Sequence, residues 1–215
     1  MPNQAFFNLP EDRRKLIISV ALDEFSSADY DTASINQICR KSNIAKGSFY
    51  QYFKDKLDLY VYTMTLAIEK KVSFFTKVLD QFAVMTLQEQ IRLLFIKGIE
   101  FAEEYPQYAA LGERFSIEKN TTARSAVMQE GEKQSEQLFV QMIDYAKSNG
   151  QVSSDVDTIA LSMLLQSLNR AVSEYLAGEF GNADRTKHET DTIKLVDSLL
   201  NIIFNGISPV NRKSQ

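Results

Sequence analysis

Between Glu11 and Asn205 apolar residues return every three or four positions, and no stretch alternates apolar with polar as a half-buried strand does. That period lines one face of an α-helix and leaves the rest to solvent, so it confines the chain to helices. Gly and Pro are scarce, at 8 and 4 of 215 residues, and they punctuate the pattern instead of interrupting it. Pro10 and Pro106 stand where a first turn tolerates proline. Asn149-Gly150, Gly178, Gly181, Gly206 and Pro209 read as stops. The expected fold is all-α, with about nine helices. They cover residues 11–25, a stretch from Ser34 to a break at Ser42, 45–52, 56–79, 86–104, a shorter piece from Pro106, 121–148, a helix capped by Asp155 or Asp157 and running to Leu176, and 189–205.

Ser34-x-x-Gln37 and Thr86-x-x-Glu89 have capping-box form, in which hydroxyl and carbonyl oxygens each take a free backbone N–H. Asn120-Thr121-Thr122 reads as a helix start and not as a glycosylation sequon. One cysteine (Cys39) and one histidine (His188) leave no disulfide and too few ligands for an ordinary zinc site. No phosphate-cradling Gly-rich loop is present, and Glu103 and Glu104, being adjacent, diverge on a helix. An enzyme, a metal or another cofactor is therefore not expected. Neither a signal pattern in residues 1–10 nor a membrane-length apolar run is found, so the expected location is cytoplasmic, with no membrane partner.

The net charge of −4 is unevenly spread. Residues 40–56 hold Arg40, Lys41, Lys46, Lys54 and Lys56 against Asp55, a local +4 that leaves −8 elsewhere. A basic island on an acidic body suits a small nucleic-acid reader carried by a larger domain. The island coincides with two short helices joined at Ser42-Asn43-Ile44-Ala45, where Asn43 accepts the left-handed backbone that a sharp turn needs. Braced by the longer helix before them, they form the pattern of a helix-turn-helix.

Residues 31–60 carry a longer signature, centred on Ile44-Ala45-Lys46-Gly47-Ser48-Phe49-Tyr50-Gln51-Tyr52-Phe53-Lys54-Asp55-Lys56 with Asp58-Leu59 following. This resembles the DNA-binding domain of the TetR family of bacterial regulators, over about residues 11–64. Asp29 and Asn43 stand where that family usually has Gly, and Ala33 where it often has Thr. Tyr105-Pro106 and Gly150-x-Val152-x-x-Asp155-x-Asp157 are weaker echoes of its C-terminal domain. The resemblance implies a helix-turn-helix domain over residues 1–55 and a helical regulatory and dimerisation domain over 56–215. It also implies a double-stranded DNA partner with an inverted-repeat operator, a homodimer and a small-molecule effector.

On the helix over 45–52, Phe49 and Phe53 supply the inner face, leaving Lys46, Ser48, Tyr50 and Gln51 for the groove. Lys46 suits a guanine edge, and Gln51 an adenine or a phosphate. Gly47 lets the backbone approach a base closely. Ser48, Tyr52 and Lys56 are phosphate candidates, Lys56 because it opens a helix whose free N–H groups favour an anion. Tyr50 and Tyr52 read equally as packed aromatics. The resemblance gives the same roles and adds Ser34 for phosphate and Asn36 for a base edge.

The helix after Asp157 carries a stripe of Val156, Ile159, Ala160, Met163, Leu164, Ser167, Leu168, Ala171, Val172, Tyr175 and Leu176, with Leu161 and Leu165 outside it. The last helix carries Ile193, Val196, Leu200, Ile203 and Phe204, with Leu195 and Ile202 beside them. A helix apolar on more than one face is central or at an interface. Leu164, Leu168, Val172, Tyr175, Val196, Leu200 and Ile203 are the expected dimer contacts, a buried monomer core being the other reading. Ser162, Gln166, Asn169, Arg170 and Ser173 form a polar line that faces either solvent or a pocket. Phe74, Phe95, Phe101, Phe115, Phe139 and Met142, with Gln166, are candidates for the wall of a mostly apolar effector pocket. Coupling to DNA is expected through the helix that starts at Lys56. The competing reading is a DNA-binding protein of the same fold without a small-molecule effector, controlled by a protein partner.

Overall fold

The computed structural model describes the backbone of residues 1–180 and 189–206, and the side chains of these save 79–80, 129–138, 169–170, 173–174, 176–180 and 189–190. Ten α-helices stand in this stretch: α1 (Gln4–Phe7), α2 (Glu11–Ser27), α3 (Ile35–Lys41), α4 (Lys46–Tyr52), α5 (Lys56–Leu79), α6 (Leu87–Glu104), α7 (Pro106–Ser116), α8 (Thr121–Ser148), α9 (Thr158–Phe180) and α10 (Glu189–Asn205). A 3-10 turn, Asp80–Val84, links α5 to α6. The all-α reading holds, and nine of the helices are those expected. The additions are α1 and the 3-10 turn. Among the described residues no helix is long and apolar enough to cross a membrane.

Helix ends follow local chemistry. Thr86 Oγ1 accepts from the Glu89 amide at 3.3 Å while Glu89 Oε2 accepts from the Thr86 amide at 2.8 Å, a complete capping box. Those bonds to Thr86 hold the Glu89 carboxyl below its ordinary value. Asn120 Oδ1 caps α8 by accepting from the Ala123 amide, and Asp157, not Asp155, caps α9 through the Ala160 amide at 2.7 Å. Gly150 and Gly206, both at φ +76°, close α8 and α10. Gly178 does not stop its helix; α9 continues to Phe180. Gly181, His188 and Pro209 lie outside the described residues.

The chain packs as two compact units. The first comprises Met1–Lys77 and Glu100–Gln141. Its core holds Ile17, Val20, Ala21, Leu22 and Phe25 of α2, Ile38 and Cys39 of α3, Phe49 of α4, Phe53, and Leu59, Tyr60, Met64 and Ala67 of α5. Leu111 of α7 and Ala123 and Val127 of α8 belong to the same cluster. Each large apolar side chain taken fully from water contributes about 1.5–3 kcal/mol, so the reader helices draw stability from α5, α7 and α8. The expected boundary between residues 55 and 56 falls inside this unit. On α2, Leu16 is exposed while Leu22 fills the core.

Phe6 of α1 is 1% exposed and stacks on Phe53 at 4.9 Å. The Asn3 amide donates to the Tyr52 carbonyl at 2.8 Å, so the segment before α2 closes the C-terminal end of α4.

The second unit comprises Val78–Ile99 and the chain from Met142 onward. Its buried residues include Phe82, Leu87, Ile91, Ile143, Ala146, Leu165, Leu168, Val172, Val196 and Leu200. Arg92 Nε meets Asp197 Oδ1 at 2.6 Å, joining α6 to α10.

Candidate nucleic-acid interface

The turn between α3 and α4 sits on Asn43, the one non-glycine residue among those described with positive φ, at 52°. An L-residue reaches this region at low cost only when its side chain is short and polar, as in Asn. The Ile44 amide donates to the Cys39 carbonyl at 3.0 Å, and Arg13 of α2 donates to the Asn43 carbonyl at 3.1 Å. The turn is thereby fixed to the bracing helix.

Phe49 and Phe53 are fully buried, and this pins the face that α4 turns outward. Lys46, Gly47, Tyr50 and Gln51 are exposed there, with Ser48 and Tyr52 half-buried. Tyr50, 48% exposed and edge-on to Phe49, is a surface residue and not a packed aromatic. Tyr52 keeps a partial packing role, its ring 6.3 Å from that of Phe6. A Cβ added at Gly47 would meet nothing within 4 Å. No packing among the described residues requires glycine at this position. Half-buried Ser34 and exposed Asn36 join Lys46 and Tyr50 around an open depression of about 340 Å³, with Thr32 and Lys56 at its edge.

The Ser34 capping box is only half formed. Ser34 Oγ accepts from the Gln37 amide at 3.4 Å, but the Gln37 side chain accepts from Arg40. The Ser34 amide donates at 2.9 Å to Oε1 of Glu24, a buried carboxylate on α2. An ionised acceptor makes the stronger bond and displaces the amide.

Lys56 corrects the sequence reading. Its ammonium donates to the carbonyls of Tyr30 at 2.6 Å, Asp31 at 3.1 Å and Ala33 at 3.1 Å. An ammonium has three protons, so none is left for a phosphate. The start of α5 is likewise occupied: Asp55 Oδ1 accepts from the Asp58 amide, and Asp58 Oδ2 from the Lys54 amide. Two carboxylates at that end oppose an anion. Lys56 is an internal tie, and Lys46 and Lys54 are the exposed cations beside α4.

The family model for bacterial regulatory proteins of the tetR family matches residues 17–63, from α2 into α5. The HTH-type transcriptional regulator HbdR of Aromatoleum sp. (strain CIB) is 45% identical over 56 residues, 26% of this chain and 24% of that protein. The HTH-type regulator YuxN of Bacillus subtilis (strain 168) is 33% identical over 70 residues, 33% of this chain and 23% of that one. The matched segments thus span about a quarter of these relatives' length. Over nearly the whole chain, the structure is similar to a TetR family transcriptional regulator from Chloroflexus aurantiacus J-10-FL, at 28% identity and TM-score 0.68, covering 96% of this chain and 98% of the other.

Residues 17–63 carry the TetR-family signature. The chain's relatives are transcriptional regulators. The fold is shared as well by FadR from Bacillus subtilis, solved in complex with stearoyl-CoA, at 17% identity and TM-score 0.70, with 90% and 99% of the two chains covered.

The expected pocket residues are distributed over both units. Phe74 and Phe101 are buried against each other, ring centroids 5.4 Å apart, with Tyr105 beside both. Phe115 packs against the reader core, and the Arg124 guanidinium lies 5.6 Å from its ring. These three, with half-buried Phe139, belong to the first unit; half-buried Phe95, buried Met142 and Gln166 belong to the second. Gln166 Nε2 donates to Ser162 Oγ at 3.0 Å. An open groove of about 410 Å³ on the first unit has a mixed lining, with Phe6, Ile18, Tyr62 and Tyr108 beside Glu11, Arg14, Lys15 and Gln107. Asn169, Arg170 and Ser173 of the polar line lie outside the described side chains.

The dimer set also divides. Leu168, Val172, Val196 and Leu200 are buried within the chain's own second unit. Leu164 and Tyr175 are about half exposed, and Ile203 is half-buried. Leu165, placed outside the stripe by the sequence reading, is core. α9 therefore has two apolar faces. Leu165, Leu168 and Val172 point inward, while Ile159, Met163, Leu164 and Tyr175 remain exposed, as does Ile202 of α10.

Proposed function

We propose that this chain is a transcriptional repressor that binds an inverted-repeat operator as a homodimer and is released by a mostly apolar effector with an anionic head. The observation that carries the DNA half is the outward face of α4, where Lys46, Gly47, Tyr50 and Gln51 stand free while Phe49 and Phe53 anchor the opposite side. That spacing offers hydrogen-bonding groups and a close backbone approach to a major groove. Asn36, Ser34 and Ser48 flank it, and Tyr52 and Lys54 complete the set that meets backbone and bases.

A self-partner is supported by the second apolar face of α9 together with Ile202 of α10. Large apolar side chains in a row on a surface signal association. Two readers related by a twofold axis require two symmetric half-sites.

For the effector, support comes from the aromatic cluster of Phe74, Phe101 and Tyr105, over which α5 lays cations. Lys70 Nζ lies 4.0 Å from the Tyr105 ring centroid and Lys77 Nζ 5.9 Å from that of Phe74. Apolar bulk beside ammonium groups suits an acyl chain carrying phosphates, the chemistry of the stearoyl-CoA held by the similarly folded FadR. The test is fluorescence anisotropy on an operator selected from random DNA, titrated with stearoyl-CoA and with free stearate. Release by the thioester supports the reading. Binding that no acyl ligand changes leaves the DNA function standing and moves control to a protein partner.

A further inference from the structure

Residues 28–33, between α2 and the Ser34 cap of α3, are held from two sides, and one of those sides lies outside the reader. From within, Lys56 gathers the carbonyls of Tyr30, Asp31 and Ala33. From the other side, the corner between α7 and α8 binds the Tyr30 amide and the side chains of Asp29 and Asp31. Glu118 Oε2 accepts from the Tyr30 amide at 2.9 Å, and its Oε1 accepts from the Asn120 amide at 2.8 Å. Asn120 Nδ2 donates to Asp31 Oδ1 at 2.7 Å while its Oδ1 caps α8. Arg114, in the last turn of α7, donates to Asp29 Oδ1 and to the Ser27 carbonyl, both at 3.1 Å.

Glu118 is buried, and its two oxygens bond one amide on each side of the joint. A buried carboxylate is costly unless its hydrogen bonds are satisfied, so its position is tightly specified by these two partners. Residue 30 lies four positions before Ser34, the cap of α3, and six before Asn36. A displacement of the α7–α8 corner must either break the Glu118 bond or carry residues 28–33 with it, and those residues feed the first turn of α3.

We propose that Glu118, supported by Asn120 and Arg114, is a positioning residue for the DNA reader. It transmits the placement of α7 and α8 to the first turn of α3 by a polar route separate from α5. The DNA consequence rests on the operator-binding reading; the mechanical one does not.

The test uses the full chain, comparing Glu118→Ala, Glu118→Gln and Arg114→Ala with the parent. Glutamine retains the volume but has a single carbonyl oxygen, so it serves one of the two amides and opposes the other with its own N–H. Amide exchange over peptides covering 28–38 is followed by mass spectrometry, and affinity for the selected operator by anisotropy across a salt series. The expected result is faster exchange confined to 28–38 and about tenfold weaker operator binding for Glu118→Ala, within the range of long-range coupling effects. The salt slope stays at the parent value, because no phosphate contact is removed. Glu118→Gln lies between parent and Ala, and gives the same readouts if Ala fails to fold. Arg114→Ala shifts both in the same direction by less. Exchange over 28–38 equal to the parent's overturns the proposal, as does operator affinity within about twofold in a folded Glu118 variant. If the parent binds no duplex, the DNA reading fails, and the exchange result alone decides whether the corner holds the loop.

Discussion

The ammonium of Lys56 lies 4.6 Å from the ring centroid of Tyr30 and donates to that same residue's carbonyl at 2.6 Å. One cation therefore satisfies the backbone of the loop ahead of α3 and covers the ring that closes it.

Replacing Lys56 by Met separates this role from that of a phosphate contact. Hydrogen bonds to charged groups contribute about 1.5–3 kcal/mol each, less what water returns to the freed carbonyls, so Lys56→Met lowers unfolding free energy by about 2 kcal/mol. Operator affinity falls through disorder of the loop, with a salt slope changed by clearly less than one. A slope reduced by about one, with stability intact, identifies a phosphate contact and contradicts the internal tie.

Gly47→Ala makes fold and function move in opposite directions. Glycine inside a helix costs about 1 kcal/mol relative to alanine, and the new methyl meets nothing in the chain. Urea denaturation is expected to show equal or higher stability, by up to about 1 kcal/mol. Operator affinity is expected to drop, since in the proposed docking the methyl would stand where the backbone meets the duplex. Unchanged affinity shows that this face of α4 does not approach DNA closely.

Tyr60, 1% exposed, packs between Phe25 and Tyr30, and its hydroxyl has no hydrogen-bond partner among the described residues. Burial raises the phenol well above its ordinary range, so it stays protonated. Removing an unpaired buried hydroxyl is neutral or favourable, by up to about 1–3 kcal/mol, so Tyr60→Phe keeps or raises the thermal midpoint. Tyr60→Ala, which leaves a cavity, costs about 3–5 kcal/mol. A loss above about 1 kcal/mol for Tyr60→Phe means the hydroxyl is bonded in solution.

The two faces of α9 respond differently to charge. Met163→Glu and Leu164→Glu alter exposed positions and are expected to convert a dimer to a folded monomer by light scattering, with helical content by circular dichroism preserved. Leu168→Glu buries a charge without a partner and unfolds the second unit. A dimer that survives both exposed substitutions places the interface elsewhere.

Local chemistry was legible in the sequence wherever cause and effect lay within a few residues. Thr86 with Glu89, Asn43 in its turn, Asn120 ahead of α8 and the Phe49–Phe53 spacing on α4 all follow from near neighbours. Three of the departures share one property, a partner far along the chain. Gln37 loses the Ser34 amide to Glu24, ten residues back; Lys56 turns toward carbonyls 23 to 26 residues away; Glu118 reaches Tyr30 across 88. No local pattern encodes such pairings. α1 was missed because four residues are too short for a period, its place being set by Phe6 meeting Phe53. On α9 the sequence showed that apolar residues cover more than one face. Only the packing of Leu165, Leu168 and Val172 distinguishes the inward face from the outward one.

The central claim is that the exposed face of α4 reads DNA sequence, and selection of bound duplexes from a random pool tests it most directly. With the parent chain the account predicts enrichment of an inverted repeat whose half-sites lie about one helical turn apart or slightly more. Lys46→Ala and Gln51→Ala should each relax the preference at symmetric positions, worth about 1–3 kcal/mol per lost base contact, and leave the spacing unchanged. Enrichment of no motif, or of one that neither substitution alters, would contradict it.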